Sequence, residues 1–368
     1  MMKIMMTKRY LKICLLLPVL LGVCLSTKAQ SKQAAIQKTL DNAYARGEFS
    51  GVVLAADTDR IIYKGAVGQA NRQWNIANEI STKFRICSVT KQFTAMLVMQ
   101  LVEAGKINLD STVADYLPEF RKDTASKVKI RSLLLSASGL PVLPEEFYVN
   151  EEAKITNANF VASKYLQGDL IFESGAKFNY NNADFIILGA IIEKISAKSY
   201  EANLHEKILQ PLGMKNSGLL KKENIVANLA NGYLFKDGKF FNEGFIQIEN
   251  FGAAGAMYST AEDLLLWDKA LMSNKLLSKK LTDEMFTPSP QLGFVALGSW
   301  SYKLKLGGAE KTIVERQGYI NGFCALNFIV PEDKLALVFL SNTETQTLFQ
   351  TYASQGLSFE VLKSITEK

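Results

Sequence analysis

The chain has 368 residues, 48% of them hydrophobic and 21% charged, a composition that suits a globular protein with a large core. Its formal net charge of +6 is mostly local: Lys3, Lys8, Arg9, Lys12 and Lys28 fall within residues 1–29 with no acid among them, which leaves +1 for the remainder. A nearly neutral body gives no electrostatic case for nucleic acid, and a single histidine, His205, excludes a multi-histidine metal site.

Residues 1–29 read as a secretory signal peptide. Lys8, Arg9 and Lys12 form the charged region, Ile13 to Leu25 a short apolar core, and Ser26 to Ala29 a cleavage region ahead of Gln30. The apolar run is short for a membrane span. A lipid anchor on Cys24 is the alternative, although Val23 makes Leu21–Cys24 a poor lipidation box. The expected location is the periplasm or cell envelope, with membrane association only through such an anchor. Removal of the leader takes Cys14 and Cys24 with it. Cys87 and Cys324 remain, too few and too far apart for a disulfide scaffold or a zinc pattern.

The rest, residues 30–368, reads as one domain. Lys32–Arg46 has helical character. Gly51–Ala56 and Ile61–Lys64 flank Asp57-Thr58-Asp59 as a hairpin. Lys91–Glu103 predicts an amphipathic helix, with Phe93, Met96, Leu97, Leu101 and Val102 at helical spacing and Gly105 as the stop. Helix and loop signals dominate from about residue 110 to 290. Among them are an apolar-faced helix over Asp184–Ala197 and a capping box, Ser259 to Glu262, ahead of Asp263–Leu271. His205 lies in a polar, helix-like stretch. Strand character returns in Thr312–Glu315, Gly322–Val330 and Leu335–Ser341, with a turn at Pro331–Lys334, and Gln346–Ile365 reads as helical. Strands near both ends and helices between them predict an α+β fold: one antiparallel sheet built from both ends, flanked by helices, with a helical region inserted.

Three short segments carry chemistry. In Ser88-Val-Thr-Lys91 the serine and lysine stand at i and i+3, one turn apart on a helix face. An amine whose pKa is depressed there can take the serine proton. The bland alternative is an N-cap serine beside a solvated lysine. In Tyr180-Asn181-Asn182 a phenol beside ammonium groups can shuttle a proton, and the Asn182 amide can orient its neighbours; the alternative is a turn that caps a helix. Arg316-Gln317-Gly318 stands at a strand end. Its glycine lets a substrate backbone approach, and its cation can hold a carboxylate; the alternative is an exposed arginine.

In this order the three segments resemble the serine β-lactamase and penicillin-binding-protein family, in its class C β-lactamase and serine esterase branch. The similarity runs from about residue 36 to 345. It extends through Lys83–Ala95, Leu101–Asp110, Leu134–Pro141, Pro211–Met214 and Gly255–Asp263. The resemblance implies Ser88 as nucleophile, Lys91 as its activating partner, Tyr180 as proton shuttle and Asn182 as orienting amide. It also implies an oxyanion hole from the Ser88 N–H and a second N–H near Tyr319, after Gly318, and neither metal nor organic cofactor. Three positions depart from the family pattern. Arg316 replaces the usual Lys or His, which puts β-lactam turnover in doubt. Ser136 stands at a frequent histidine, and Ser174 at a frequent proline. The function implied is an exported serine hydrolase acting on an amide or ester: a D-Ala-type peptide, an ester or a β-lactam. An acyltransferase that passes the acyl group to an alcohol or amine, and a silent binding or sensor protein, are the alternatives on the same fold.

Overall fold

A computed structural model describes residues 30–149, 166 and 168–367. The leader over residues 1–29 lies outside the described residues.

The first helix, α1, spans residues 30–45. Strands β1 (Gly51–Ala56) and β2 (Ile61–Val67) form the expected hairpin, and five further strands follow late in the chain. These are β3 (Val295–Ala296), β4 (Ser299–Leu306), β5 (Ala309–Ile320), β6 (Phe323–Val330) and β7 (Leu335–Ser341). All pair antiparallel in the spatial order β3-β4-β5-β6-β7-β1-β2. The strand that closes the chain's sheet therefore sits beside the strand that opens it, with Gly51 opposite Ser341 and Ala56 opposite Ala336.

β1, β6 and β7 are apolar at nearly every position because both faces of the sheet are covered. Alternate residues feed two separate cores. Val52 and Leu54 of β1 join Ala325 and Ile329 of β6 and Val338 and Leu340 of β7 in the larger core. That core packs on α2 (Thr90–Glu103), α3 (Asn182–Ser196) and α4 (Ala261–Met272). Val53, Leu326, Phe328, Leu337 and Phe339 point the other way. They meet Ile36 and Leu40 of α1 and Leu357 and Val361 of α5 (Gly356–Thr366). The ring of Phe93 in α2 stacks on Trp267 in α4, with centroids 4.2 Å apart, which locks the nucleophile helix to its neighbour.

Several boundaries differ from the sequence reading, each for a local reason. The cap of α4 is Thr260, whose side chain accepts from the Asp263 N–H; Ser259 instead ends a short strand. Asp263 does not reach back to the cap, because its carboxylate takes the Ser217 hydroxyl and the Asn216 N–H. β5 runs on to Ile320, so Arg316 lies inside a strand and not at its end. The chain after Gln346 makes two short 3-10 turns before α5 begins at Gly356.

Candidate active site

Ser88 sits in a 3-10 turn, Cys87–Val89, that leads directly into α2. The turn is held by the Val89 N–H to the Ile86 carbonyl at 3.1 Å and by the Thr90 hydroxyl to the Cys87 carbonyl at 2.7 Å. Cys87 adopts φ 51°, a left-handed conformation that costs a non-glycine residue and that tertiary packing must hold in place. One turn on, Lys91 is fully buried and projects back toward Ser88.

The Lys91 amine donates to three acceptors: Ser88 Oγ at 3.1 Å, Asn182 Oδ1 at 2.7 Å and the Ala254 carbonyl at 2.7 Å. Three bonds match the three protons of an ammonium. Tyr180 approaches from the segment before α3, and its hydroxyl lies 2.6 Å from Ser88 Oγ. Asn181 caps α3 by accepting the Ala183 N–H, while its amide donates to the Leu140 and Pro141 carbonyls. That anchor fixes Tyr180 on one side and Asn182 on the other. The Asn182 amide is itself held by donating to the Tyr148 hydroxyl at 3.0 Å, and the Tyr148 ring stacks on Phe251.

Arg316 corrects an expectation. It is 1% exposed, where the alternative reading was an exposed strand-end arginine. Its Nε donates to the Ser88 carbonyl at 3.2 Å. Its guanidinium carbon lies 5.2 Å from the centre of the Tyr180 ring and 4.6 Å from that of Trp300. The cation thus lies within reach of two aromatic rings, and Nη2 is buried with no partner. Residues alternate along β5, so Arg316 and Gly318 face the Ser88 turn while Glu315 bonds Tyr302 on the other side. A methyl group on Gly318 would meet the Ile86 carbonyl oxygen at 2.4 Å and the Ser88 nitrogen at 3.0 Å, so only glycine allows this approach. β4 pairs with β5 only as far as Glu315, opposite Trp300; from Arg316 to Ile320 that edge of β5 has no β4 partner. Tyr319 is half exposed, and its hydroxyl bonds Glu344.

These contacts set the charge states. Burial lowers the Lys91 amine, Arg316 adds to the effect, and the amine is pulled down to about 8 against the attraction of Tyr180. Burial alone would raise the Tyr180 phenol. Lys91 and Arg316 outweigh it and bring the phenol down to about 8. The amine and the phenol therefore share protons near neutrality, the range in which a group can both take and return one. Burial also lowers Arg316 from its ordinary value, but a guanidinium keeps its charge in protein interiors. Among the described residues no group of three or more His, Cys, Asp or Glu could hold a metal ion.

Ser88, Lys91, Tyr180, Asn182, Arg316 and Gly318 thus converge from three segments far apart in sequence. Three participants carry no sequence signal of their own. The Ala254 carbonyl is backbone. It is aimed by Gly252, at φ 42° and ψ −126°, in a segment whose Ala253 carbonyl accepts the Thr94 hydroxyl at 2.6 Å. Tyr148 and Trp300 are aromatic residues among many. Ser138 and Asp184 make a further buried pair at 2.5 Å, and burial raises the Asp184 carboxyl well above its ordinary range. Ser136 takes φ 50°, and both Cys87 and Cys324 are free and buried. His205 is exposed and distant from this cluster in the contacts it makes.

The fold and this site place the chain among known proteins. Residues 36–355 match the Beta-lactamase family, and the chain belongs to that family. It is a serine hydrolase of that kind. A putative penicillin-binding protein of Bacillus subtilis, PbpX, is 26% identical over 323 residues, covering 86% of this chain and 77% of that one. The teichoic acid D-alanine hydrolase of Staphylococcus aureus is 26% identical over 249 residues, 67% of this chain, and the match spans 60% of the hydrolase's length. Among solved structures, a penicillin-binding protein from Bacillus halodurans superposes with a TM-score of 0.73 at 26% identity, covering 90% of this chain and 98% of that one.

Proposed function

We propose that the protein is an exported hydrolase that acylates Ser88 and passes the acyl group to water, acting on esters or amides of D-alanine or a similarly small acyl group. The observation that carries this reading is the position of Ser88 Oγ, 3.1 Å from the Lys91 amine and 2.6 Å from the Tyr180 hydroxyl. Both partners are brought to about 8. The name of the staphylococcal relative supports the acyl group. The charged and apolar pattern of residues 1–29 supports export.

In the working form the Lys91–Tyr180 pair has lost one proton. As Ser88 Oγ attacks the carbonyl carbon, its proton passes to this pair. The oxyanion is held by the Ser88 N–H and by the Tyr319 N–H on the unpaired edge of β5. The carbon–leaving group bond then breaks with its electrons going to the leaving atom, which takes a proton from Tyr180. Water enters by the same route, gives a proton to Tyr180 and attacks the acyl carbon. Breakdown returns the proton to Ser88 Oγ. Asn182 keeps Lys91 aligned throughout, and Arg316 supplies a fixed positive charge that stabilises the phenolate.

Intact-protein mass spectrometry tests the reading. Wild type and Ser88→Ala are each incubated with D-alanyl esters, a D-Ala-D-Ala peptide and a penicillin. The expected result is an acyl adduct and turnover of a D-alanyl donor by the wild type alone. An adduct that survives Ser88→Ala would overturn the assignment. The same spectrum of the protein from its native host should show a mature chain that starts at Gln30.

A further inference from the structure

A second cavity lies behind the active site. It holds about 800 Å³ between α3, the chain at Leu219–Glu223 and the segment Gln247–Ala256. That volume falls within the roughly 300–1,000 Å³ of small-molecule sites. None of Ser88, Lys91, Tyr180, Asn182, Arg316 or Gly318 lines it. Its inner wall is nevertheless shared with the site. Tyr200 and Ala253 line the cavity, and both bond Thr94 of α2. The Ala253 carbonyl accepts the Thr94 hydroxyl at 2.6 Å, and the Tyr200 hydroxyl lies 2.7 Å from the same oxygen. The carbonyl of the next residue, Ala254, takes the Lys91 amine.

The lining is apolar and acidic together. Ile186, Ala190, Leu219, Leu220, Ala253 and Ala256 supply apolar surface. The charged residues in the lining are Glu193, Glu223 and Glu249 with Lys221 and Lys222, and Lys221 is matched by Glu201 at 2.5 Å. Counting that partner, four carboxylates stand against two ammonium groups among the described residues, an excess of two negative charges. Glu193 is held by the Tyr200 N–H at 2.7 Å, and Glu249 by the Gln247 side-chain amide at 2.9 Å. An apolar body gains from burial in such a space. An anionic head on it meets net repulsion there, and a cationic head meets net attraction. We propose that this cavity is a binding site for a hydrophobic amine, separate from the Ser88 cleft, with the apolar body against Ile186, Ala190, Leu219 and Ala253 and the ammonium among the carboxylates. Binding there makes and breaks no covalent bond, and the assignment does not depend on which acyl group Ser88 carries.

The experiment is isothermal titration calorimetry of the wild-type protein with three probes of one shape: 4-phenylbutylamine, 4-phenylbutanol and 4-phenylbutyrate. The amine should bind saturably at one per chain, about threefold or more tighter than the alcohol, with the carboxylate weakest. Blocking Ser88 with a fluorophosphonate should leave the affinity for the amine unchanged. Ala190→Phe, which fills the cavity, should weaken both the amine and the alcohol by about tenfold or more. Should that variant fold poorly, Glu223→Gln combined with Glu249→Gln should bring the amine down to the affinity of the alcohol and leave the alcohol as it was. Binding that disappears when Ser88 is blocked would place the amine in the catalytic cleft and overturn the proposal. So would a preference for the carboxylate, an absence of saturable amine binding, or variants that bind all three probes as the wild type does.

Discussion

Gly318 lies against Ser88: a side chain at 318 would begin 3.0 Å from the Ser88 nitrogen and 2.4 Å from the Ile86 carbonyl oxygen. Both neighbours are backbone, so neither can rotate away. Gly318→Ala should push the 3-10 turn off β5 and displace the Ser88 N–H from where an oxyanion would form. Acylation should fall by roughly 10²-fold or more, the loss typical of a missing oxyanion donor. Stability should fall by about 1–3 kcal/mol, as for other overpacked sites. Stopped-flow acylation and thermal melting measure the two effects, and an unchanged acylation rate would refute the packing argument.

Lys91 separates chemistry from stability. Lys91→Met should reduce acylation by roughly 10²–10⁴-fold, since it removes the group that receives the serine proton. It also leaves the Ala254 carbonyl and Asn182 Oδ1 without a donor, a cost of about 1–3 kcal/mol. Removing a fully buried amine offsets much of that cost. The variant should therefore melt within a few degrees of the wild type while being nearly inactive. Circular dichroism melts beside ester kinetics distinguish this from simple unfolding.

The amine and the phenol, each brought to about 8, set the pH profile. The active pair has one proton fewer than the resting one, so kcat/KM should rise with pH and level off above about 8. Arg316 lowers both groups. Arg316→Met should thus move the rising limb upward by about one unit. Arg316→Lys, which keeps the charge, should restore much of the shift. A limb that stays in place in Arg316→Met would mean that the buried cation does not tune the pair.

Glu315, next along β5, has the opposite linkage. Burial raises its carboxyl to about 7 from an ordinary 4.5, against bonds from Tyr302 and Gln317. Between those values the folded protein keeps a proton that the unfolded chain has released, so stability falls as pH rises through the window. Glu315→Gln removes that dependence. The variant should match the wild type near pH 4 and exceed it by about 3 kcal/mol at pH 8. Denaturant titrations at the two pH values check it.

What was legible in the sequence divides along physical lines. Ser88 and Lys91 are tied by helix periodicity, and the structure places them 3.1 Å apart. The Leu335–Ser341 strand has the predicted bounds because both its faces are apolar. The burial of Arg316 was not legible because it depends on Trp300, sixteen residues earlier on the adjoining strand, and on Tyr180, from another part of the chain. Pairing of that kind has no local pattern. The cap of α4 slipped by one residue because Ser259-Thr260 offers two hydroxyls in succession, and a distant demand on Asp263 decides between them. The Ala254 carbonyl was invisible for a simpler reason: every residue has one.

The pairing of β1 with β7 has a consequence for how the protein is made. β1 ends at Ala56, and its partner strand is Leu335–Ser341, so one edge of the first hairpin stays bare until that strand, almost 280 residues later, has left the ribosome. Contacts this distant in sequence make for slow closure of the sheet. During that interval the apolar β1–β2 edge is open to pairing with other chains. A sheet closed by its last strand thus exposes that edge for longer during folding than one built from sequence neighbours would.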